Sequence, residues 1–123
     1  MHPFRAAIEA RDIDALAAVL ADDVVFRSPI VFKPYEGRDA TTAVLAAVAR
    51  VFEDFAYDAE LASQDGRDHA LVFRARVGDR EIEGCDFLHH DADGQVDRLT
   101  VMVRPLSAAH ALRDRMAAEL AAS

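Results

Sequence analysis

The stretch that decides the fold is ALVFRARVGDREIEGCDFLHHDADGQVDRLTVMV, residues 70–103. It reads as three consecutive antiparallel strands over 70–77, 80–90 and 95–103. Gly78-Asp79 is a two-residue hairpin signal, and Asp91-Ala92-Asp93-Gly94 is the second turn. The first turn sets the register. If Val77 opposes Arg80, then Arg76 opposes Glu81 and Arg74 opposes Glu83, and opposite charges across a ladder attract. Those pairs share a face with Val72–Cys85 and Ala70–Phe87. The other face carries Ala75–Ile82, Phe73–Gly84, Leu71–Asp86 and His69–Leu88. One carboxylate, Asp86, therefore stands on a mostly apolar face, and a buried acid needs a partner or a reason.

The totals bound what surrounds this stretch. A chain of 123 residues, 52% of them hydrophobic, makes one domain over 1–123 with a real core. A net charge of −8 argues against nucleic acid as a partner. No apolar run approaches the roughly 20 residues of a membrane span. Met1-His2-Pro3-Phe4-Arg5 lacks the apolar core of a secretion signal, so the expected location is cytoplasmic. Cys85 is the single cysteine, which excludes an internal disulfide. There is no Gly-rich phosphate loop and no zinc-spaced Cys/His cluster, so no cofactor is expected.

Working outward, Pro3 with Phe4, Ala7 and Ile8 predicts a helix over 3–11. Asp12 reads as the cap of a second helix with Ile13, Leu16 and Leu20 on its apolar stripe. Residues 24–31 read as a strand interrupted by Pro29, and 33–37 as a turn. Asp39 is expected to cap a helix from 40 to about 53, with Val44, Leu45, Val48, Val51 and Phe52 inward. Residues 55–63 alternate, Phe55, Tyr57, Ala59 and Leu61 on one side, which predicts a half-buried strand. Pro105 stops the sheet, and Ser107 is expected to cap a last helix. The class is α+β, a curved antiparallel sheet packed on helices.

That order resembles the nuclear transport factor 2-like superfamily, in particular its SnoaL-like branch. The residues that carry it are Phe4-Arg-Ala-Ala-Ile8, Arg11-Asp-Ile-Asp-Ala-Leu16, Ala21-Asp-Asp-Val-Val-Phe26, Tyr35-Glu-Gly-Arg-Asp39, Asp86-Phe-Leu and Asp91-Ala-Asp-Gly94. The resemblance implies a cone-shaped (cystatin-like) roll with a pocket at its wide end and a homodimer through the outer sheet face. Members include ketosteroid isomerases, polyketide cyclases and epoxide hydrolases, so fold alone does not choose the function. It also places Asp86 where ketosteroid isomerases carry a protonated acid. Their general base falls at Ser28 and their tyrosine donor at Phe4, so both partners are missing. Epoxide hydrolases carry an arginine where this chain has Gly84. A cyclase-like reaction needs fewer fixed groups.

Asp86 is the candidate catalytic acid, because desolvation raises a carboxyl's pKa toward general-acid range. Phe26, Ser28, Tyr57, Phe73, Leu88, Leu99, Val101 and Val103 are the candidate ligand-binding residues on the inner face. Ser28 either bonds a ligand or shapes the turn at Pro29. Tyr57 either donates to a carbonyl or packs its ring and turns its hydroxyl to solvent. Phe52, Phe55 and Phe73 line the pocket or fill the core. His69 and His90 face inward with Asp86, but Asp86 and His90 lie roughly 13 Å apart along one strand, so no metal is expected. His89 and His110 are expected to be solvated. The expected function is binding of a mainly apolar small molecule at Asp86, with cyclase- or isomerase-type chemistry. The alternative is a non-catalytic dimeric interaction module whose cone is filled by its own side chains.

Overall fold

The structure, a computed structural model, describes residues 1–122. Helix α1 (Pro3–Ala10) begins at a cap made by His2, whose Nδ1 accepts from the Phe4 N–H at 3.0 Å. It ends at Arg11 in the left-handed region. Helix α2 (Ile13–Val19) is capped by Asp12, which accepts from the Ala15 N–H at 3.0 Å, as the spacing predicts.

Strand β1 (Leu20–Arg27) starts four residues before the expected Val24 and stops short of Pro29. The cause is a ladder contact that local propensity does not reveal. Leu20 pairs with Val96, and the register slips between Leu20 and Val25, so Asp22 and Asp23 bulge out to solvent. Arg38 secures the bulge by donating twice to the Leu20 carbonyl and pairing with Asp22 at 2.8 Å. The expected turn at 33–37 contains a two-residue strand, β2 (Tyr35–Glu36), on the β1 edge.

Helix α3 (Arg38–Val51) starts after Gly37, which holds φ 95°. Asp39 is therefore inside the first turn rather than at the cap, where it still complements the helix dipole. Thr41 on this helix is fully buried, and its Oγ1 has no hydrogen-bond partner among the described residues. An unpaired buried hydroxyl costs ~1–3 kcal/mol, so Thr41→Val is expected to raise stability by about 1 kcal/mol in urea denaturation. A loss of stability would mean that the hydroxyl has a partner in solution.

Strands β3 (Glu53–Ala62), β4 (Asp68–Val77), β5 (Arg80–His90) and β6 (Val96–Arg104) follow, then helix α4 (Leu106–Ala122). Helix α4 opens at Leu106 directly after Pro105, so Ser107 is inside it rather than its cap. The sheet is curved and unclosed, in the order β2-β1-β6-β5-β4-β3. The β4–β5 hairpin has the predicted register, with Val77 opposite Arg80 and Leu71 opposite Asp86. β1 runs parallel to β6, a pairing that the expectation of a wholly antiparallel sheet did not contain. The four helices close over the inner face, and Phe4, Leu16, Val44, Leu71, Leu112 and Met116 share one core.

Two details correct the sequence reading. Arg74 and Arg76 do face Glu83 and Glu81 in register, yet their ion pairs run to β3 instead. Arg74 pairs with Asp58 at 3.0 Å, and Arg76 with Glu53 and Asp54 at 3.2 and 2.7 Å. The carboxylates that meet these guanidiniums are on β3, and Glu83 is engaged from its other side by Arg104 at 3.3 Å. Such exposed pairs add little stability. The second correction is a bulge in β3 after Tyr57, where Tyr57 opposes Phe73 but Ala59 opposes Val72. One extra residue reverses the alternation, so Leu61 comes out on the solvent face.

Candidate functional site

Between the inner face of the sheet and helices α1, α3 and α4 lies a cavity of about 520 Å³. Its wall carries Phe26, Ser28, Tyr57, Phe73, Val101 and Val103, with Asp86 among them. Leu88 and Leu99 are not on it. They oppose each other one inward pair beyond Asp86–Val101 and are sealed in the core with Leu16, Leu20 and Val96. The cavity ends at Asp86 because the side chains beyond it fill the cone.

Four aromatic rings make one side of the wall. Phe55 stacks on Phe52 and Phe73 at 5.8 and 5.1 Å between centroids, and meets Tyr57 edge-on at 4.9 Å. Phe52 and Phe73 are thus core residues and cavity wall at once, since each buries one face of its ring and presents the other. Gly84 makes this possible. A Cβ there would lie 2.3 Å from Phe73 Cζ, so only glycine lets the ring lie against β5.

Asp86 is 6% exposed. The Tyr57 hydroxyl donates to its Oδ2 at 3.1 Å. Burial pushes the Asp86 carboxyl from 3.8 up to about 7, against the opposing pull of the Tyr57 hydrogen bond. Burial and the facing carboxylate hold the Tyr57 phenol well above its ordinary range, so it stays a neutral donor. The pair therefore sits on an apolar wall, with a carboxyl that gains and loses a proton near neutrality.

The SnoaL-like domain family matches residues 2–99 of this chain. The chain belongs to the SnoaL-like domain family. Among solved structures, this SnoaL-like domain is similar to a steroid delta-isomerase from Pseudomonas aeruginosa. The two are 45% identical over 97% of this chain and 87% of the other, with a TM-score of 0.92. A cystatin-like-fold protein from Silicibacter pomeroyi is 33% identical over 97% of this chain and 83% of its own, with a TM-score of 0.91. A nuclear transport factor 2-like protein from Cytophaga hutchinsonii shares the fold at 18% identity. It covers 84% of this chain and 85% of its own, with a TM-score of 0.63. No match was found among proteins of curated function.

The remaining candidates fall into place within the SnoaL-like domain. Ser28 Oγ accepts from the Val31 and Ile30 N–H groups at 2.9 and 3.3 Å, so it shapes the turn while also touching the cavity. The Tyr57 hydroxyl reaches Asp86 rather than solvent. Phe4 is buried and also lines the cavity. Cys85 lies on the outer face, where burial pushes its thiol up and away from nucleophile chemistry. His89 is not simply solvated, because its Nδ1 meets Asp97 at 2.7 Å. Sequence reasoning missed Arg5 and Glu9, which flank the cavity as an ion pair at 2.6 Å. Their spacing of four residues on α1 was the available signal.

Removing the Tyr57 hydroxyl isolates its effect on the acid. Tyr57→Phe is expected to push the Asp86 pKa above 7 and to lower stability at pH 8 by about 1 kcal/mol. Carboxyl-carbon NMR titration reads the first and urea denaturation the second. An unchanged Asp86 titration would separate the two residues.

Proposed function

We propose that this SnoaL-like domain binds a mainly apolar small molecule in its cavity. Asp86 in its protonated form donates a hydrogen bond to a carbonyl or enol oxygen of that molecule. The observation that carries this reading is a buried carboxyl on an apolar cavity wall with Tyr57 holding one of its oxygens. Tyr57 engages Oδ2, which leaves Oδ1 for the ligand. A donor on that oxygen stabilises the charge that develops when an adjacent C–H is enolised, and it does so best out of water. The volume lies within the ordinary range of ~300–1,000 Å³ for small-molecule sites. Similarity to the Pseudomonas aeruginosa steroid delta-isomerase favours a polycyclic ligand of steroid size.

The chemistry we infer is isomerase- or cyclase-type proton transfer with Asp86 as the acid. Phe4 has no hydroxyl, and Ser28 Oγ is occupied by backbone N–H groups, so neither supplies a carbon-proton base. A cyclase-type substrate that enolises readily makes the least demand on such a base.

We further propose a homodimer through the outer sheet face. Phe87 and Met102 are 44% and 60% exposed there, beside Leu61 at 57%. A non-catalytic interaction module would use the same face, and it becomes the better reading if the cavity takes no ligand.

The test is equilibrium binding of a phenolic steroid and a 3-ketosteroid, followed by titration calorimetry and the Asp86 carboxyl resonance. Saturable binding that shifts Asp86 is expected. Asp86→Leu should weaken it about tenfold, the equivalent of ~1.4 kcal/mol for one lost hydrogen bond. Asp86→Asn, which keeps a donor, should lose less. Failure of the wild-type protein to bind either probe overturns the reading.

A further inference from the structure

We propose that His2, His69 and His90 form a binding site for a borderline transition-metal dication, zinc being the best match to three imidazoles. The site is independent of Asp86, from which it is separated by four residues of β5.

Three distant segments bring these rings together. His2 precedes α1, His69 is near the start of β4, and His90 ends β5. One ligand nitrogen from each lies within 4.8 Å of the others. Ring centroids are 4.6 Å apart for His2–His69, 4.8 Å for His2–His90 and 5.1 Å for His69–His90. The cluster opens onto a surface groove of about 590 Å³, whose lining includes Glu60, Arg67 and Asp91.

The hydrogen bonds prepare two of the three rings. His90 Nδ1 lies 2.8 Å from the Gly94 carbonyl, and His69 Nε2 lies 2.9 Å from the Gly66 carbonyl. A carbonyl only accepts, so each of those nitrogens carries the proton. His90 Nε2 and His69 Nδ1 are left with lone pairs. A backbone carbonyl that fixes the tautomer of a histidine is the usual outer support of a metal ligand. His69 Nδ1 has no hydrogen-bond partner among the described residues.

His2 completes the set at a cost. Its Nδ1 accepts from the Phe4 N–H, so its proton sits on Nε2 and is donated to His90 Nε2 at 2.7 Å. To bind a metal through Nε2 as a neutral imidazole, His2 must carry its proton on Nδ1 instead, and the cap that Nδ1 makes with the Phe4 N–H is given up. Zinc–nitrogen bonds of about 2.0–2.1 Å set tetrahedral nitrogens ~3.3 Å apart. The His2–His90 contact therefore opens slightly while His69 swings in. Glu60, which accepts from the His2 main-chain N–H at 3.4 Å, is a carboxylate beside the cluster for the fourth position or for charge balance. Arg67, also on the groove, is engaged in donating to the His90 carbonyl.

The experiment uses the full chain without an affinity tag. Calorimetric titration with zinc chloride is expected to give one site per chain. Cobalt(II) should give the intense visible bands of a four-coordinate site. His69→Gln and His90→Gln should each weaken binding at least ~10-fold, the lower end of what loss of an outer-shell partner alone costs. His110→Gln, at an exposed position of α4, should leave affinity unchanged. If a variant does not fold, X-ray absorption on the zinc-loaded wild type counts its imidazole ligands, and three are expected. Absence of a saturable single site, wild-type affinity in the His69 and His90 variants, or fewer than three imidazoles overturns the proposal.

Discussion

Asp86→Asn is expected to make the protein more stable at pH 8, by roughly 2–3 kcal/mol, and to flatten its stability between pH 4 and 7. The reason is the proton that the folded state holds. The Asp86 carboxyl stands at about 7 in the fold against 3.8 when solvated. Between those values the folded chain binds a proton that the unfolded chain has released. Stability from this group is therefore complete below the unfolded pKa and falls as pH rises through that window. Above 7 the fold carries a buried, ionised carboxylate, and the accumulated loss is roughly 4 kcal/mol, at about 1.4 kcal/mol per tenfold change in proton affinity. Asparagine is neutral throughout, and its carbonyl still accepts from the Tyr57 hydroxyl. Its amide N–H₂ needs partners of its own, which takes back ~1–2 kcal/mol. Urea denaturation at pH 5 and pH 8 reads the result as two curves that cross. Parallel curves would mean that Asp86 is ionised and solvated at neutral pH. A stabilising substitution at a residue that faces an apolar cavity is the signature of a group retained for chemistry rather than for the fold.

How much of this was legible in the sequence follows from how local each determinant is. The β4–β5 register was readable because a two-residue turn and alternating apolar positions admit one pairing, and that pairing put Asp86 on the inner face. The Asp12 cap and the inward face of α3 were readable for the same local reasons. The early start of β1 was not, because Leu20 is a strand residue only through its pairing with Val96. Nor was the β3 bulge, which reverses Leu61 without any glycine or proline to announce it. The site divides along the same line. Most of the cavity wall came from one face of known parity, but where the cavity stops depends on which side chains fill the cone, and Leu88 and Leu99 lie beyond that limit. The Tyr57–Asp86 bond joins residues 29 apart, and periodicity carries no information about it. The histidine cluster is the extreme case. The sequence reading tried His69 and His90 with Asp86 and found the span too long, whereas the third imidazole arrives from His2 at the other end of the chain.

The second large effect is expected at Gly84, where alanine should cost about 2 kcal/mol and narrow the cavity. Gly84 has ordinary extended backbone, so the demand for glycine is steric and not conformational. An added Cβ would lie 2.3 and 2.6 Å from two ring carbons of Phe73 and 3.0 Å from the Met102 carbonyl oxygen. The last of these is backbone of the paired strand and does not move away cheaply. The ring therefore has to leave. Phe52 and Phe55 pack beside it at 5.6 and 5.1 Å, so its free direction is into the cavity in front of Asp86. Overpacking of this kind costs ~1–3 kcal/mol, and the backbone entropy that alanine removes from the unfolded chain offsets ~0.5–1 kcal/mol of it. Phe73→Leu alone should also destabilise, by leaving space over Gly84. Together the two substitutions should cost less than the sum of their separate effects by 1 kcal/mol or more, because the smaller side chain clears the new methyl group. A double-mutant cycle in urea measures that coupling, and phenolic steroid binding in the same variants should weaken in Gly84→Ala and recover in the double variant. Strict additivity would mean that Phe73 does not rest on Gly84, and the aromatic wall that holds Tyr57 against Asp86 would need a different support.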